Sequence, residues 1–204
     1  MKKLINLLLL AIVVGCSNES ENKNPESLLP PITQTGANTF GCLIDGNLFI
    51  PRDGTGTWSG PDNAVSIYGD PTGNNQYREI EVRDYKSERT AKILMHIQNL
   101  PQIGYGNYTI NESNGMNNID GANHTYLHCR VFRESTNSYQ FYRSFENSGT
   151  INITRYQLIP NVSLFISGTF SCRVKNSANP NDIIEITNGR FDFNGATIPN
   201  AVFP

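Results

Sequence analysis

The stretch Tyr77-Arg78-Glu79-Ile80-Glu81-Val82-Arg83 decides the fold class of this chain. Its apolar residues Ile80 and Val82 alternate with charged ones, and successive side chains of a β-strand point to opposite faces of a sheet. The pattern predicts a strand with one buried face and one face on which Glu79 and Glu81 project outward. Paired carboxylates can hydrolyse glycosides when they flank a cleft, but this alternation favours a solubilising role.

The same period of two recurs along the chain and predicts about ten strands. The segments are residues 40–50, 64–68, 77–85, 90–97, 106–112, 125–133, 139–145, 150–156, 162–174, 183–187 and 189–193. Turn-rich clusters separate many of them, and no segment after the first sixteen residues sustains a helical period. The sequence therefore predicts one all-β domain over residues 37–204, an antiparallel β-sandwich or barrel.

Two dipeptides predict tight hairpin turns between neighbouring strands. Asp45-Gly46 divides the segment 40–50, and Asn188-Gly189 separates 183–187 from 189–193. Aspartate, asparagine and glycine tolerate the positive φ angles that two-residue hairpin turns require. Both sites are expected to be chain reversals.

Three cysteines lie within alternating apolar runs, namely Cys42, Cys129 and Cys172. Each has apolar neighbours two positions away, so its side chain is expected to face the core. Free cysteine is among the most frequently buried residue types. Buried thiols are the preferred interpretation, and one disulfide with a single remaining thiol is the alternative.

The first sixteen residues have the pattern of an export signal. Lys2 and Lys3 precede an apolar run at residues 4–14, which is too short to span a bilayer. The run ends in Val13-Val14-Gly15-Cys16, which resembles the lipobox of bacterial lipoproteins. The resemblance implies removal of residues 1–15, acylation of Cys16 and attachment to a membrane by lipid. An ordinary secretory signal, with no role for Cys16, is the alternative.

Residues 16–36 are expected to form the lipidated cysteine and a flexible tether. The segment 17–27 contains no apolar residue, and such a sequence cannot collapse into a core. Its acidic pair, Glu19 and Glu21, resembles the surface-export signal of Bacteroidetes-type lipoproteins. The expected location is the cell envelope, anchored to the outer membrane on its periplasmic face or at the cell surface.

The charge balance argues against a nucleic-acid partner. The chain carries 16 Lys and Arg against 18 Asp and Glu, for a net charge of −2, and no basic cluster is visible in the sequence. Phosphate binding depends on such clusters. The expected partners are the membrane, through the lipid, and a glycan or an envelope protein.

Motifs for catalysis and metal binding are weak. The sequence contains no Gly-x-Ser-x-Gly and no His-Glu-x-x-His. His124 and His128 share one strand face with Tyr126 between them, which predicts an exposed polar strip. A metal pair without a third ligand is the alternative. We therefore expect no catalytic residues, no metal and no cofactor.

Trp58 is the residue with the clearest binding potential. It lies in the polar, glycine-rich loop 53–62, and an exposed aromatic there can stack on a sugar ring. Asp62 and Asn63 would then supply polar contacts. The preferred interpretation is nevertheless that Trp58 folds back and covers one end of the core, because isolated aromatics usually cover a core edge. A second aromatic run, at 139–145, places residues on both faces of its strand, so one of those faces is a second candidate binding surface or interface.

Both ends of the domain resemble a group of Bacteroidetes-type lipoproteins. The opening contains Leu29-Pro30-Pro31, Thr33-Gln34-Thr35-Gly36 and the run TFGCLIDG at 39–46, and the closing stretches are 168–175 and 181–192. The proteins of this group carry an uncharacterised all-β domain. The resemblance implies β architecture, lipidation and an envelope location, and it implies no activity.

Three functional hypotheses follow from the sequence. The first is a lipid-anchored envelope protein with a non-catalytic binding or structural module. The second is a surface glycan-binding protein that uses Trp58. The third is an enzyme whose residues are scattered over loops, because sites are often built from residues far apart in sequence.

Overall fold

The computed structural model describes residues 24–58, 60–86, 91–160 and 162–204. Its ten strands form one antiparallel sheet that curls into a half-barrel. This confirms the predicted all-β antiparallel fold of about ten strands. The strands are β1 Thr39–Ile44, β2 Asn47–Phe49, β3 Val65–Gly69, β4 Tyr77–Arg83, β5 Lys92–Gln98, β6 Gly106–Ile110, β7 Tyr126–Arg133, β8 Ser138–Ile159, β9 Ser163–Asn176 and β10 Ile183–Asn194.

The strand order is β2-β1-β10-β9-β8-β7-β5-β4-β3. Five short helices connect or flank the strands: one α-helix, α1 Leu100–Ile103, and 3-10 turns at Pro25–Leu28, Asn118–Asp120, Glu134–Thr136 and Ile198–Asn200. Within the described part of the chain, no helix has the length and apolar character needed to cross a membrane.

Strand β8 joins two segments that the sequence predicts separately. Its first half pairs with β7, and its second half pairs with β6. Between Ser144 and Gly149 the register against β9 shifts, as at a β-bulge. The polar residues 146–148 interrupt the apolar alternation there without ending the strand.

One of the two predicted hairpin turns is confirmed and the other is wrong. Asp45 and Gly46 have φ angles of 52° and 77° and reverse the chain between β1 and β2. Asn188, with φ 54°, instead lies inside the continuous strand β10, where the register against β9 shifts between Ile186 and Gly189. A positive φ suits a bulge as well as a turn, so the dipeptide alone does not distinguish them.

The inner face of the sheet holds the apolar core, including the three cysteines. Cys42, Cys129 and Cys172 are free and buried, which confirms the buried-thiol interpretation. Burial raises the pKa of all three thiols, that of Cys172 to about 12. They therefore pack as small apolar side chains.

The segment 29–37, here named the strap, is attached to the sheet by hydrogen bonds, although several of its side chains are exposed. The Asp192 carboxylate accepts hydrogen bonds from Thr33 Oγ1 at 2.7 Å, from the main-chain N–H groups of Thr35 and Gly36 at 2.9 Å, and from that of Ala37 at 3.1 Å. Part of the predicted tether thus contacts the domain. The Leu29 side chain is buried, and Asp192 of β10 holds residues 33–37. Cys16 and the predicted signal peptide lie outside the described residues.

Candidate functional site

Trp58 stands at the apex of a small hairpin and is fully exposed. Thr57 and Gly60 bond each other through both main-chain N–H groups, with N···O distances of 2.8 and 3.1 Å. The indole therefore covers no described part of the protein surface. Trp58 is exposed, as a binding role requires, and the interpretation preferred from the sequence, in which Trp58 covers one end of the core, is wrong.

The base of this hairpin is held firmly. The Asp53 carboxylate accepts hydrogen bonds from the Ala64 N–H at 2.7 Å and the Phe203 N–H at 2.8 Å. Beside it, Arg52 makes a bidentate pair with Asp84 at 2.7 and 2.6 Å. Trp58 therefore projects from a fixed stem.

The other two predicted contact residues lie at the stem and not at the tip. The Asp62 side chain packs against Gly54, where an added Cβ would stand 2.6 Å from the Asp62 Cβ. Asn63 is exposed and borders a shallow cavity beside β3. The structure thus places the three residues on one hairpin or directly after it, with Trp58 alone at the apex.

The outer face of the sheet is covered where the sequence predicts exposure. Residues 111–124, here named the cover loop, fold back over β4, β5 and β7. Glu79 and Glu81 are only 1% and 5% exposed, and Tyr126 is fully buried. The outward direction of these side chains is confirmed, but their solvation is not. The cover loop contacts Glu79 and Tyr126, and Arg83 and Lys92 pair with Glu81.

A buried polar row crosses this face. His96 lies between the rings of Tyr77 and Tyr126, with centroid distances of 4.4 and 4.5 Å. Its Nδ1 is 3.0 Å from Glu79 Oε1, which also accepts a hydrogen bond from the Asn118 N–H of the cover loop at 2.7 Å. Glu79 therefore joins the sheet to the loop above it, and Tyr126 adds a second link by donating its hydroxyl hydrogen bond to the Met116 carbonyl.

Next to this row lies a pocket, here named the outer-face pocket, with a volume of about 260 Å³. It lies over β5, β7 and β8, where Lys92 pairs with Arg130 and His128 pairs with Arg143 in the strand register. Among the described residues, no acidic side chain lines it. The lining residues are Lys92, Gly115, Asn117, His128, Cys129, Arg130, Phe141, Tyr142 and Arg143.

The cationic side chains of the outer-face pocket differ in whether they form an ion pair with an acidic side chain. Lys92 forms an ion pair with the buried Glu81, which also pairs with Arg83. Among the described residues, Arg130 and Arg143 form no ion pair with an acidic side chain, and the buried Nε of Arg130 makes no hydrogen bond. A buried donor without a partner costs about 1–3 kcal/mol.

The pKa of His128 is lowered by its position in the outer-face pocket. Burial lowers its pKa to about 4, and the cations of Lys92 and Arg143 act in the same direction. The imidazole is therefore neutral near pH 7, and its Nδ1 lies 3.2 Å from the Ser113 hydroxyl of the cover loop.

The histidines do not assemble a metal centre in the described part of the chain. His124 Nε2 lies 2.7 Å from the Glu112 carbonyl oxygen, while His128 contacts Ser113. The structure gives no group of three or more potential metal-ligating side chains within these residues.

Comparison of the chain with protein-family models, curated proteins and solved structures gave no match. The geometry is therefore the basis for the function. Sequence reasoning identified Trp58 and the aromatic run 139–145, whose face with Phe141 also carries Arg143, but it missed Arg130 of the outer-face pocket. The signal was present in the strand parity, because Arg130 and Arg143 share a face with His128 and Phe141.

Proposed function

We propose that this protein is a lipid-anchored protein of the bacterial envelope whose β domain is a non-catalytic binding module, with glycans as its ligands. The observation that carries the binding role is the exposure of Trp58 at the tip of a hairpin pinned by Asp53. A large aromatic fixed in solvent is poised to stack on a sugar ring at little entropic cost. The lipobox resemblance at residues 13–16 supports the anchor.

The anchor is tested at Cys16. We expect the unaltered protein to partition into the detergent phase after expression in a Gram-negative bacterium, because two or more acyl chains bind membranes stably. Cys16→Ala should move it to the aqueous phase. Ser17→Ala is the matched control and should partition like the unaltered protein. Detergent partitioning that survives Cys16→Ala would refute the lipid anchor.

The binding role is tested at Trp58, the only tryptophan of the chain. Its fluorescence alone therefore reports contact with an added glycan, and we expect a shift in emission on titration. Trp58→Ala should weaken glycan binding at least about tenfold in calorimetry, because a central aromatic contact is worth over 1 kcal/mol. Its unfolding temperature should stay unchanged, because the indole buries no surface.

Tyr105→Ala is the matched control for Trp58, since this aromatic is also largely exposed. It should bind glycans like the unaltered protein. Glycan affinity that survives Trp58→Ala would contradict the proposed contact. A fall in unfolding temperature with Trp58→Ala would favour a structural role for the hairpin.

A further inference from the structure

We propose that the outer-face pocket is a second binding site, which takes the acidic group and ring of an acidic saccharide. It shares no residue with the Trp58 hairpin, so the inference goes beyond the proposed contact at Trp58. Two arginines, one exposed aromatic and a lining without acidic side chains in the described part of the chain carry it.

The anionic part of the ligand follows from the two arginines. Arg130 and Arg143 come from adjacent strands and have no acidic partner among the described residues, and the buried Nε of Arg130 lacks a hydrogen bond. A guanidinium presents a planar fork of donors that matches a carboxylate or a sulfate in a bidentate fashion. An oxyanion in the pocket would supply the acceptors that the protein itself does not.

Both arginines are held in place before any ligand arrives. The Arg143 side chain packs on Gly115 of the cover loop, where an added Cβ would stand 2.5 Å from the Arg143 Cζ. The Arg130 Cζ lies 4.9 Å from the centre of the Tyr139 ring. Side chains fixed in this way lose little conformational entropy on binding.

The ring part of the ligand follows from Phe141. This residue is directly opposite Arg130 in the strand register and is 59% exposed. An aromatic beside guanidinium groups offers an apolar surface on which one face of a sugar ring can pack. Asn117, in the cover loop, also lines the pocket, and its side-chain amide can form a hydrogen bond with a hydroxyl group of the sugar.

The size of the outer-face pocket limits the ligand. Its volume of about 260 Å³ lies just below the ~300–1,000 Å³ typical of sites for drug-sized molecules. The pocket therefore holds a single sugar ring, as the acidic unit of a longer chain or as a monosaccharide.

The test is calorimetric titration of the full chain in a non-ionic detergent with glucuronic acid, glucose and inorganic sulfate. Glucuronic acid should bind at least about tenfold more tightly than either glucose or sulfate, because only it supplies both charge and ring. Its affinity should fall as sodium chloride is raised, because salt screens the arginines. Equal affinity for glucose and glucuronic acid would show that the pocket does not select an acidic group. Sulfate affinity as high as that of glucuronic acid would show that the sugar ring adds nothing to binding. Either result would overturn the proposal.

Three variants assign the binding to the pocket. Arg143→Ala and Arg130→Ala should each weaken glucuronic acid at least tenfold, and Arg143→Lys should weaken it less because it keeps the charge but loses the fork. Arg173→Ala, an exposed arginine on β9 outside the pocket, is the matched control and should bind unchanged. If Arg143→Ala fails to fold, Arg130→Ala carries the comparison.

Three outcomes would refute the assignment. Unchanged affinity in folded Arg130→Ala and Arg143→Lys would place any binding elsewhere. Loss of affinity with Trp58→Ala, and not with the pocket variants, would show that glucuronic acid binds at the Trp58 hairpin. Tighter pocket-dependent binding to phosphatidylglycerol vesicles than to glucuronic acid would make the partner a lipid surface.

Discussion

Replacing Asp192 with alanine is expected to lower the free energy of unfolding by about 3–5 kcal/mol. The side chain is 1% exposed, and besides the strap donors it accepts a hydrogen bond from the Ser167 hydroxyl at 2.7 Å. Its removal leaves these donors without an acceptor and releases the strap. Thermal unfolding should show a fall of roughly 10 °C or more for a domain of this size.

Asp120→Ala is the control for Asp192. Asp120 is exposed, and its hydrogen bond to Asn114 uses the main-chain oxygen, so its midpoint should change by no more than about 2 °C. If Asp192→Ala costs as little as this control, the carboxylate does not fasten the strap.

Acid sensitivity gives a second measurement on Asp192. Burial acts to raise its pKa, but the hydrogen bonds from Ser167, Thr33, Ala37 and Gly36 outweigh burial and bring the pKa to about 2. Because the folded-state pKa lies below the unfolded value of ~3.9, the stabilisation is complete above about pH 5 and is lost as the pH falls towards 2. The unaltered protein should lose about 2 kcal/mol more over that interval than Asp192→Ala. Equal acid sensitivity of the two proteins would contradict this role.

Glu79→Ala is expected to cost about 3–4 kcal/mol of stability. The substitution leaves His96 Nδ1 and the Asn118 N–H without their shared acceptor, in a site closed to water. It also cuts one of the links that hold the cover loop on the sheet. Unfolding in urea should show a lower midpoint, and hydrogen exchange should accelerate at residues 113–118 before the core strands.

Glu112→Ala is the matched control for Glu79. Glu112 is exposed, and its carboxylate is 3.8 Å from Lys175 Nζ, a surface contact worth less than 1 kcal/mol. Its loss should leave the urea midpoint nearly unchanged. Uniform acceleration of exchange throughout Glu79→Ala would show that Glu79 supports the whole sheet and not the loop in particular.

The sequence predicted the face of the sheet on which each strand side chain lies. It did not predict which of the outward side chains are exposed to solvent. Alternation correctly set Ile80 and Val82 inward and Glu79 outward, because the period of a strand is a local property. The burial of Glu79 depends on the cover loop, which is rich in Asn and carries no hydrophobic period. Its attachment depends on a few hydrogen bonds between residues about 40 positions apart, which single-sequence patterns do not encode.

For the two candidate sites, too, the sequence predicted the local features and not the contacts between distant parts of the chain. A polar, glycine-rich loop indicated that Trp58 was a surface residue or a cap, and the backbone pairing of Thr57 with Gly60 decides between them. For the outer-face pocket, the sequence placed Phe141 and Arg143 on one face. It did not bring Arg130, on another strand, beside them, because strand order is a property of the whole sheet.

The strap also sets how far the domain can stand from a membrane. A fully extended chain spans at most ~3.3–3.6 Å per residue. From Cys16 to a tether ending at residue 37 is 21 residues, or about 74 Å, whereas from Cys16 to Leu29 is 13 residues, or about 45 Å. On the proposed lipid anchor, attachment of the strap from Leu29 onward therefore shortens the longest possible tether by more than a third. A domain on this shorter tether would stand nearer the bilayer, which would restrict the directions from which a large ligand can approach.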